Sequence, residues 1–178
     1  MEQFIDNNKD ALVRSVQEIV RFPSVEAPAA GPGAPFGEAV RGALENALNL
    51  GKSFGFETTN FDGYAGCIDY GCGEEMLGVV AHVDVVPEGE GWIHPPYAAE
   101  IADGRIYGRG TMDDKGPAVC AIYALAAIKA AGIPMRRRVR IILGTNEETG
   151  WGCMDHYRKV AEIPTLTFSP DADYPVVN

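Results

Sequence analysis

Three short segments carry residue types that hold divalent cations: His82-Val83-Asp84, Glu147-Glu148 and Asp171. A fourth, Gly108-Arg109-Gly110-Thr111-Met112-Asp113-Asp114-Lys115-Gly116, sets two aspartates in a glycine-rich string. In an extended segment His82 and Asp84 share a face, which puts a carboxylate where it can orient an imidazole and raise its basicity. Glu147 and Glu148 are neighbours and point to opposite faces, so they have different tasks. One can bind a metal while the other faces an activated water as general base. Two adjacent carboxylates following a buried strand repel each other and are costly to desolvate unless a cation compensates. The chemistry these residues suggest together is metal-assisted hydrolysis. Singly, each has a simpler reading. His82 could be a hydrogen-bonded core histidine, Asp84 a loop cap and Asp171 a turn residue after Pro170. The glutamates could form a surface turn, and Asp113 or Asp114 could cap a helix. A phosphate loop is excluded, because the spacing G-x-x-x-x-G-K-[ST] is absent.

These groups meet only if particular elements carry them. Residues 76–81 form an apolar run without alternation, which predicts a strand buried on both faces. Residues 139–143 form a second largely apolar strand and residues 165–168 a third. Each runs out into one of the three segments, and ligands of open α/β sheets bind outside the carboxyl ends of strands. Helical spacing of Ile5, Leu12, Val16, Ile19 and Val20 predicts an amphipathic helix stopping near Pro23, with another over about 38–54. An Ala-rich helix over 117–131 has Pro in its first turn and Gly132 after its end, and a fourth helix covers about 151–160. Residues 27–37 are too dense in Pro and Gly for regular structure. Short strands over 56–61 and 65–70 flank Asp62-Gly63, and a hairpin over 98–107 turns at Asp103-Gly104. Strands alternating with helices predict an α/β layered domain.

The length of 178 residues suits one domain on a prior of about 150 residues each. Asp and Glu number 25 against 15 Lys and Arg, a formal charge of −10, which argues against a nucleic-acid partner. Cys67, Cys72, Cys120 and Cys153 show no C-x-x-C spacing and read as buried free thiols. The N-terminus lacks a signal-peptide pattern, and no apolar run approaches the ~20 residues of a membrane span. A soluble, cytoplasmic protein without a membrane partner is the expectation. Of the other two histidines, His94 lies in a loop without a partner carboxylate and His156 on a predicted helix; neither spacing points to a metal role. Arg136-Arg137-Arg138 reads as a solvated turn.

His82-x-Asp84, Gly108-Arg109-Gly110-x-x-Asp113-x-Lys115-Gly116, Glu147-Glu148-x-Gly150 and Asp171 resemble the signature of a known family. It is the aminoacylase and carboxypeptidase G group of co-catalytic zinc exopeptidases. Within it the chain is most similar to the PepV-type dipeptidases, through Ala34-Pro35-Phe36-Gly37, Asp62-Gly63-Tyr64-Ala65-Gly66, His82-Val83-Asp84-Val85-Val86-Pro87, Asp113-Asp114-Lys115-Gly116-Pro117 and Pro170-Asp171. The resemblance implies a three-layer αβα catalytic domain with a mixed, largely parallel sheet. It also implies two zinc ions, with cobalt or manganese as possible substitutes, and a small peptide as substrate. His82 and Asp171 would bind one metal, Glu148 would belong to the other, and Asp113 would bridge them through a cis peptide to Asp114. Asp84 would orient His82, and Glu147 would be the general base. The family takes a further histidine from far downstream and a substrate clamp from a lid domain. Residues 1–178 are therefore expected to be a partial catalytic domain without the lid or the domain's C-terminal part. A deacylase of N-acyl amino acids with the same metal core, and an inactive metal-binding fragment, are the alternatives. The resemblance does not specify the oligomeric state.

Overall fold

Apolar side chains at helical spacing turn the N-terminal segment into α1 (Glu2–Val20), which buries Val16, Ile19 and Val20 and ends just before Pro23. The computed structural model describes residues 1–171. After the Pro- and Gly-rich stretch comes α2 (Glu38–Ser53), burying Val40, Leu44, Ala47 and Leu48 along one stripe. The strands β1 (Glu57–Phe61) and β2 (Ala65–Tyr70) form an antiparallel pair. Asp62 and Gly63 between them both have positive φ, the conformation an Asp-Gly turn supplies. The central strand is β3 (Met76–His82). A separate two-stranded hairpin, β4 (Glu100–Ala102) and β5 (Arg105–Tyr107), turns at Asp103-Gly104 as predicted. Then come α3 (Lys115–Ala130), β6 (Arg138–Gly144), α4 (Gly152–Val160) and β7 (Leu166–Phe168).

The main sheet has the order β1-β2-β6-β3-β7. Strands β6, β3 and β7 are parallel, while β1–β2 and β2–β6 pair antiparallel, so the sheet is mixed. Alternate residues separate its two faces. Ile68, Val79, Ala81, Ile141 and Leu143 pack with α1, α2 and α3 in one core. Cys67, Val80 and Ile142 pack on the other side with Met154 and Tyr157 of α4. The result is the expected three-layer αβα arrangement. No helix among the described residues is long and apolar enough to cross a membrane.

Two expectations need correction. Strand β7 is apolar but not buried: Leu166 and Phe168 are 54% and 53% exposed, because among the described residues β7 is the sheet's edge and pairs with β3 alone. The cysteines divide evenly, with Cys67 and Cys153 buried and Cys72 and Cys120 exposed. Cys72 sits in the polar turn before β3, and Cys120 on the face of α3 that α1 and the sheet leave open.

The register brings the chemistry together. His82 pairs with Gly144 in parallel, and the Val83 N–H donates to the Gly144 carbonyl at 3.0 Å. The segments leaving β3 and β6 therefore emerge side by side. Beyond β7, the Ser169 hydroxyl donates to the Val80 carbonyl at 2.8 Å and carries Asp171 toward the same end.

Candidate metal centre

His82 ends β3 and is 2% exposed. Its Nδ1 lies 3.0 Å from the Asp84 backbone carbonyl, which can only accept, so Nδ1 carries a proton and Nε2 is the nitrogen turned toward the acids. Nε2 is buried, has no hydrogen-bond partner, and faces carboxylates. Asp113 Oδ1 lies at 3.0 Å, Asp171 Oδ2 at 3.5 Å and Glu147 Oε2 at 3.9 Å. His82, Asp113 and Asp171 each offer a ligand atom, all within 4.8 Å of one another. One imidazole nitrogen converging with two carboxylates is a donor set that suits a divalent transition metal.

Asp84 and Asp114 are both buried beside this cluster. Asp84 Oδ1 is 3.4 Å from His82 Nδ1, and Oδ2 accepts the Glu148 backbone N–H at 3.1 Å. One carboxylate thus joins the segment leaving β3 to the segment leaving β6. Asp114 occupies the N-cap position of α3 without capping it; Oδ2 instead accepts the His82 backbone N–H at 3.1 Å. That contact fixes the α3 entry loop against the end of β3. The Asp113–Asp114 peptide is cis. Asp113 reaches outward and is 57% exposed.

The charge balance follows from this crowding of acids. Burial by itself would lower the His82 pKa, but Asp84, Asp114 and Asp113 reverse the effect and push it up to about 10. Burial pushes Asp114 up to about 7, partly opposed by the His82 N–H and imidazole and reinforced by Asp171 and Asp113. Glu148 is raised by burial and then by Asp113. A cluster in which burial raises the carboxylates and surrounding acids raise the imidazole is short of positive charge, a deficit that a divalent cation would fill.

Three residues outside the predicted set hold the loops in place. Lys115 is completely buried and donates to the Phe22 carbonyl at 2.6 Å; burial lowers its pKa to about 7 despite the Asp84 charge. Ser24, also buried, donates to the Val83 carbonyl at 2.6 Å, while the Val85 N–H donates back to the Ser24 carbonyl. The end of α1 is thereby tied to both ligand-bearing loops. Asn146 closes the glutamate turn: Nδ2 donates to Thr149 Oγ1 at 2.6 Å, and Oδ1 accepts the Gly152 N–H at 3.0 Å. An Asn just before the paired glutamates was the available signal, since Asn favours tight turns. Nothing in the sequence marks Lys115 as buried.

His94 and His156 lie elsewhere. His94 Nδ1 contacts Glu100 Oε2 at 3.0 Å and the ring stacks on Tyr107, so its loop does have a carboxylate partner. His156 stacks on Tyr64 beside Asp62.

Comparison with known proteins follows the same residues. A model of peptidase family M20/M25/M40 matches residues 78–177. A Bacillus subtilis (strain 168) protein named "Putative dipeptidase YtjP" is 51% identical over 96% of this chain and 37% of its own length. The Beta-Ala-Xaa dipeptidase of Lactobacillus delbrueckii subsp. lactis is 41% identical over 99% of this chain and 38% of its own. The crystal structure of human carnosine dipeptidase 1 superposes with a TM-score of 0.74 at 24% identity, covering 88% of this chain and 36% of that one; it shows the shared fold. The chain thus spans under two fifths of the length of these relatives.

Proposed function

The chain belongs to peptidase family M20/M25/M40, and on that premise we propose that it is the metal-binding part of a zinc dipeptidase. The observation that carries the reading is the convergence of His82, Asp113 and Asp171 around an otherwise unpartnered Nε2. His82 and Asp171 would hold one zinc, Glu148 would belong to a second, and Asp113 would be shared between the two sites. When bound, the ions polarise the scissile carbonyl and lower the pKa of the attacking water. Asp84 keeps the His82 ring in the tautomer that presents Nε2. Glu147 takes the proton of the attacking water on its carboxylate and returns it to the departing amine. Its Oε2, 3.9 Å from His82 Nε2, is near enough to the cluster for that task. The relatives' printed names, dipeptidase and Beta-Ala-Xaa dipeptidase, support a small peptide as substrate. Residues 1–178 form part of the catalytic domain; its remainder, a further metal ligand and the substrate clamp come from sequence outside them.

Metal analysis after dialysis against zinc, cobalt and manganese tests the centre. The expected result is one tightly held zinc, with a weaker second site that disappears in Glu148→Ala. Retention of no metal at all would overturn the proposal. Hydrolysis of dipeptides against N-acyl amino acids, by a polypeptide of the relatives' length, separates dipeptidase from deacylase. A preference for the acyl substrates would reject the dipeptidase assignment.

A further inference from the structure

A cavity of about 320 Å³ opens directly beside the metal cluster. Its polar end is formed by His82, Asp171 and Glu147, and its wall includes Trp151, Met154 and Phe168. Trp151 is the unexpected member. Its backbone is left-handed, with φ at 60°, a conformation that glycine adopts freely and a side-chain-bearing residue does not. Gly150 and Gly152 flank it. The turn uses only its main chain, through the Trp151 N–H donating to the Asn146 carbonyl at 2.8 Å, a bond that glycine would make equally well. The indole is 52% exposed. Among the described residues folding therefore gains little from a tryptophan here, while the cavity gains an aromatic wall next to the reacting end.

We propose that this cavity is a side-chain subsite taking the apolar side chain of a dipeptide, and that Trp151 sets that preference. The inference rests on the peptidase reading above and extends it to a substrate class. The scissile carbonyl lies at the His82 and Asp171 end, and the side chain lies against Trp151, Met154 and Phe168. Glu147 and Asp171 at the mouth repel an acidic side chain, so an aspartyl peptide is the disfavoured case. The volume suits a leucyl or phenylalanyl group, at the small end of the range for ligand pockets.

The test uses a zinc-loaded polypeptide of the relatives' length and phosphinic analogues of Gly-Gly, Leu-Leu and Asp-Asp, with affinities measured by calorimetry. Fluorotryptophan labelling gives Trp92 and Trp151 separate fluorine resonances, assigned with Trp151→Gly. The Leu-Leu analogue is expected to bind at least about 10- to 200-fold tighter than Gly-Gly, the range that one methylene supplies in an apolar pocket. It should shift the Trp151 resonance and leave Trp92 unmoved. Trp151→Gly should erase that preference, keep the Gly-Gly affinity and melt no lower than the parent, whereas Trp151→Phe should retain most of the preference. Equal affinity for the three analogues, or an undiminished preference in Trp151→Gly, would overturn the subsite. Failure of every analogue to bind, Gly-Gly included, would instead reject the peptide reading itself, and the subsite with it.

Discussion

His82 is the residue on which the centre turns, because its two ring nitrogens have been given separate tasks. The Asp84 carbonyl at 3.0 Å accepts a hydrogen bond from Nδ1–H, and the buried Nε2 is left facing the carboxylates. His82→Ala is therefore expected to abolish zinc retention after dialysis. Glu147→Gln should keep the zinc and lower dipeptide hydrolysis by about 10²- to 10⁴-fold, the usual contribution of a positioned general base. Parallel metal analysis and turnover measurements on a polypeptide of the relatives' length check the pair. If both variants lost zinc, Glu147 would be a ligand and not a base. Asn146 acts at one remove, through its bonds to Thr149 and Gly152. Asn146→Ala should lower stability in denaturant by about 0.5–1.5 kcal/mol, the net contribution of a typical hydrogen bond, because it leaves the part-buried Gly152 N–H without its acceptor. His82 and Asp171 could be found in the sequence because each lies at or just beyond a strand end, and Asp113 because it stands in the glycine-rich string before α3. Asp114 and Lys115 stand in the same string, but the bonds they make could not be read there, since their weight comes from complete burial and from partners 32 and 93 positions away.

At the level of elements, the site depends on how tightly the α3 entry loop folds back on the helix it precedes. Gly116 is one position where this is sharp: a Cβ there would run into the Thr111 carbonyl. Gly116→Ala should destabilise the fold by about 1–3 kcal/mol, as overpacking does, and weaken zinc retention by displacing Asp113. Circular dichroism melts and metal analysis on the same variant measure both effects. The sheet makes a second prediction through Cys67 on β2. Burial pushes its thiol from 9.0 up to about 12, with the Arg140 charge opposing. Between those values the unfolded chain loses a proton that the folded chain keeps. The stability this proton contributes is intact below pH 9.0 and is lost as pH rises through about 12. Melting temperatures should therefore fall more steeply above pH 9.0 in the parent than in Cys67→Ala. Iodoacetamide at neutral pH should label Cys72 and Cys120 while sparing Cys67 and Cys153, as mass spectrometry would show. Strand β3 was readable because an unbroken apolar run has one economical fate, a central position. The same run in β7 misled, because apolarity reports what a strand can be buried against and not whether its neighbour is among the same residues.

On the scale of the whole molecule, the exposed β7 and the outer side of α3 belong to one feature. Leu12 and Val16 of α1, Leu77 of β3, Leu125 and Ile128 of α3, and Phe168 of β7 line an apolar trough of about 760 Å³. Apolar residues run around α3 on nearly all sides, a pattern that suits a helix covered on more than one face. It lies on the opposite side of the sheet from α4, and Met112 and Pro170 on its rim directly precede Asp113 and Asp171. Because these residues span under two fifths of the relatives' length, the proposal that further sequence completes the domain has a direct physical consequence here. A polypeptide of the relatives' length should cover the trough, and 8-anilinonaphthalene-1-sulfonate fluorescence should be lower per molecule for it than for the 178 residues alone. Ile128→Glu separates this from nonspecific stickiness. In the 178-residue chain it places a charge on a wall that water already reaches, so dye binding should fall while the melting temperature changes little. In the longer polypeptide the same charge would be trapped in a packed interface, where burying it unpaired costs several kcal/mol, and folding should suffer visibly. Equal tolerance of Ile128→Glu in both polypeptides would show that the added sequence packs elsewhere, and the trough would then have to be a surface of the complete protein.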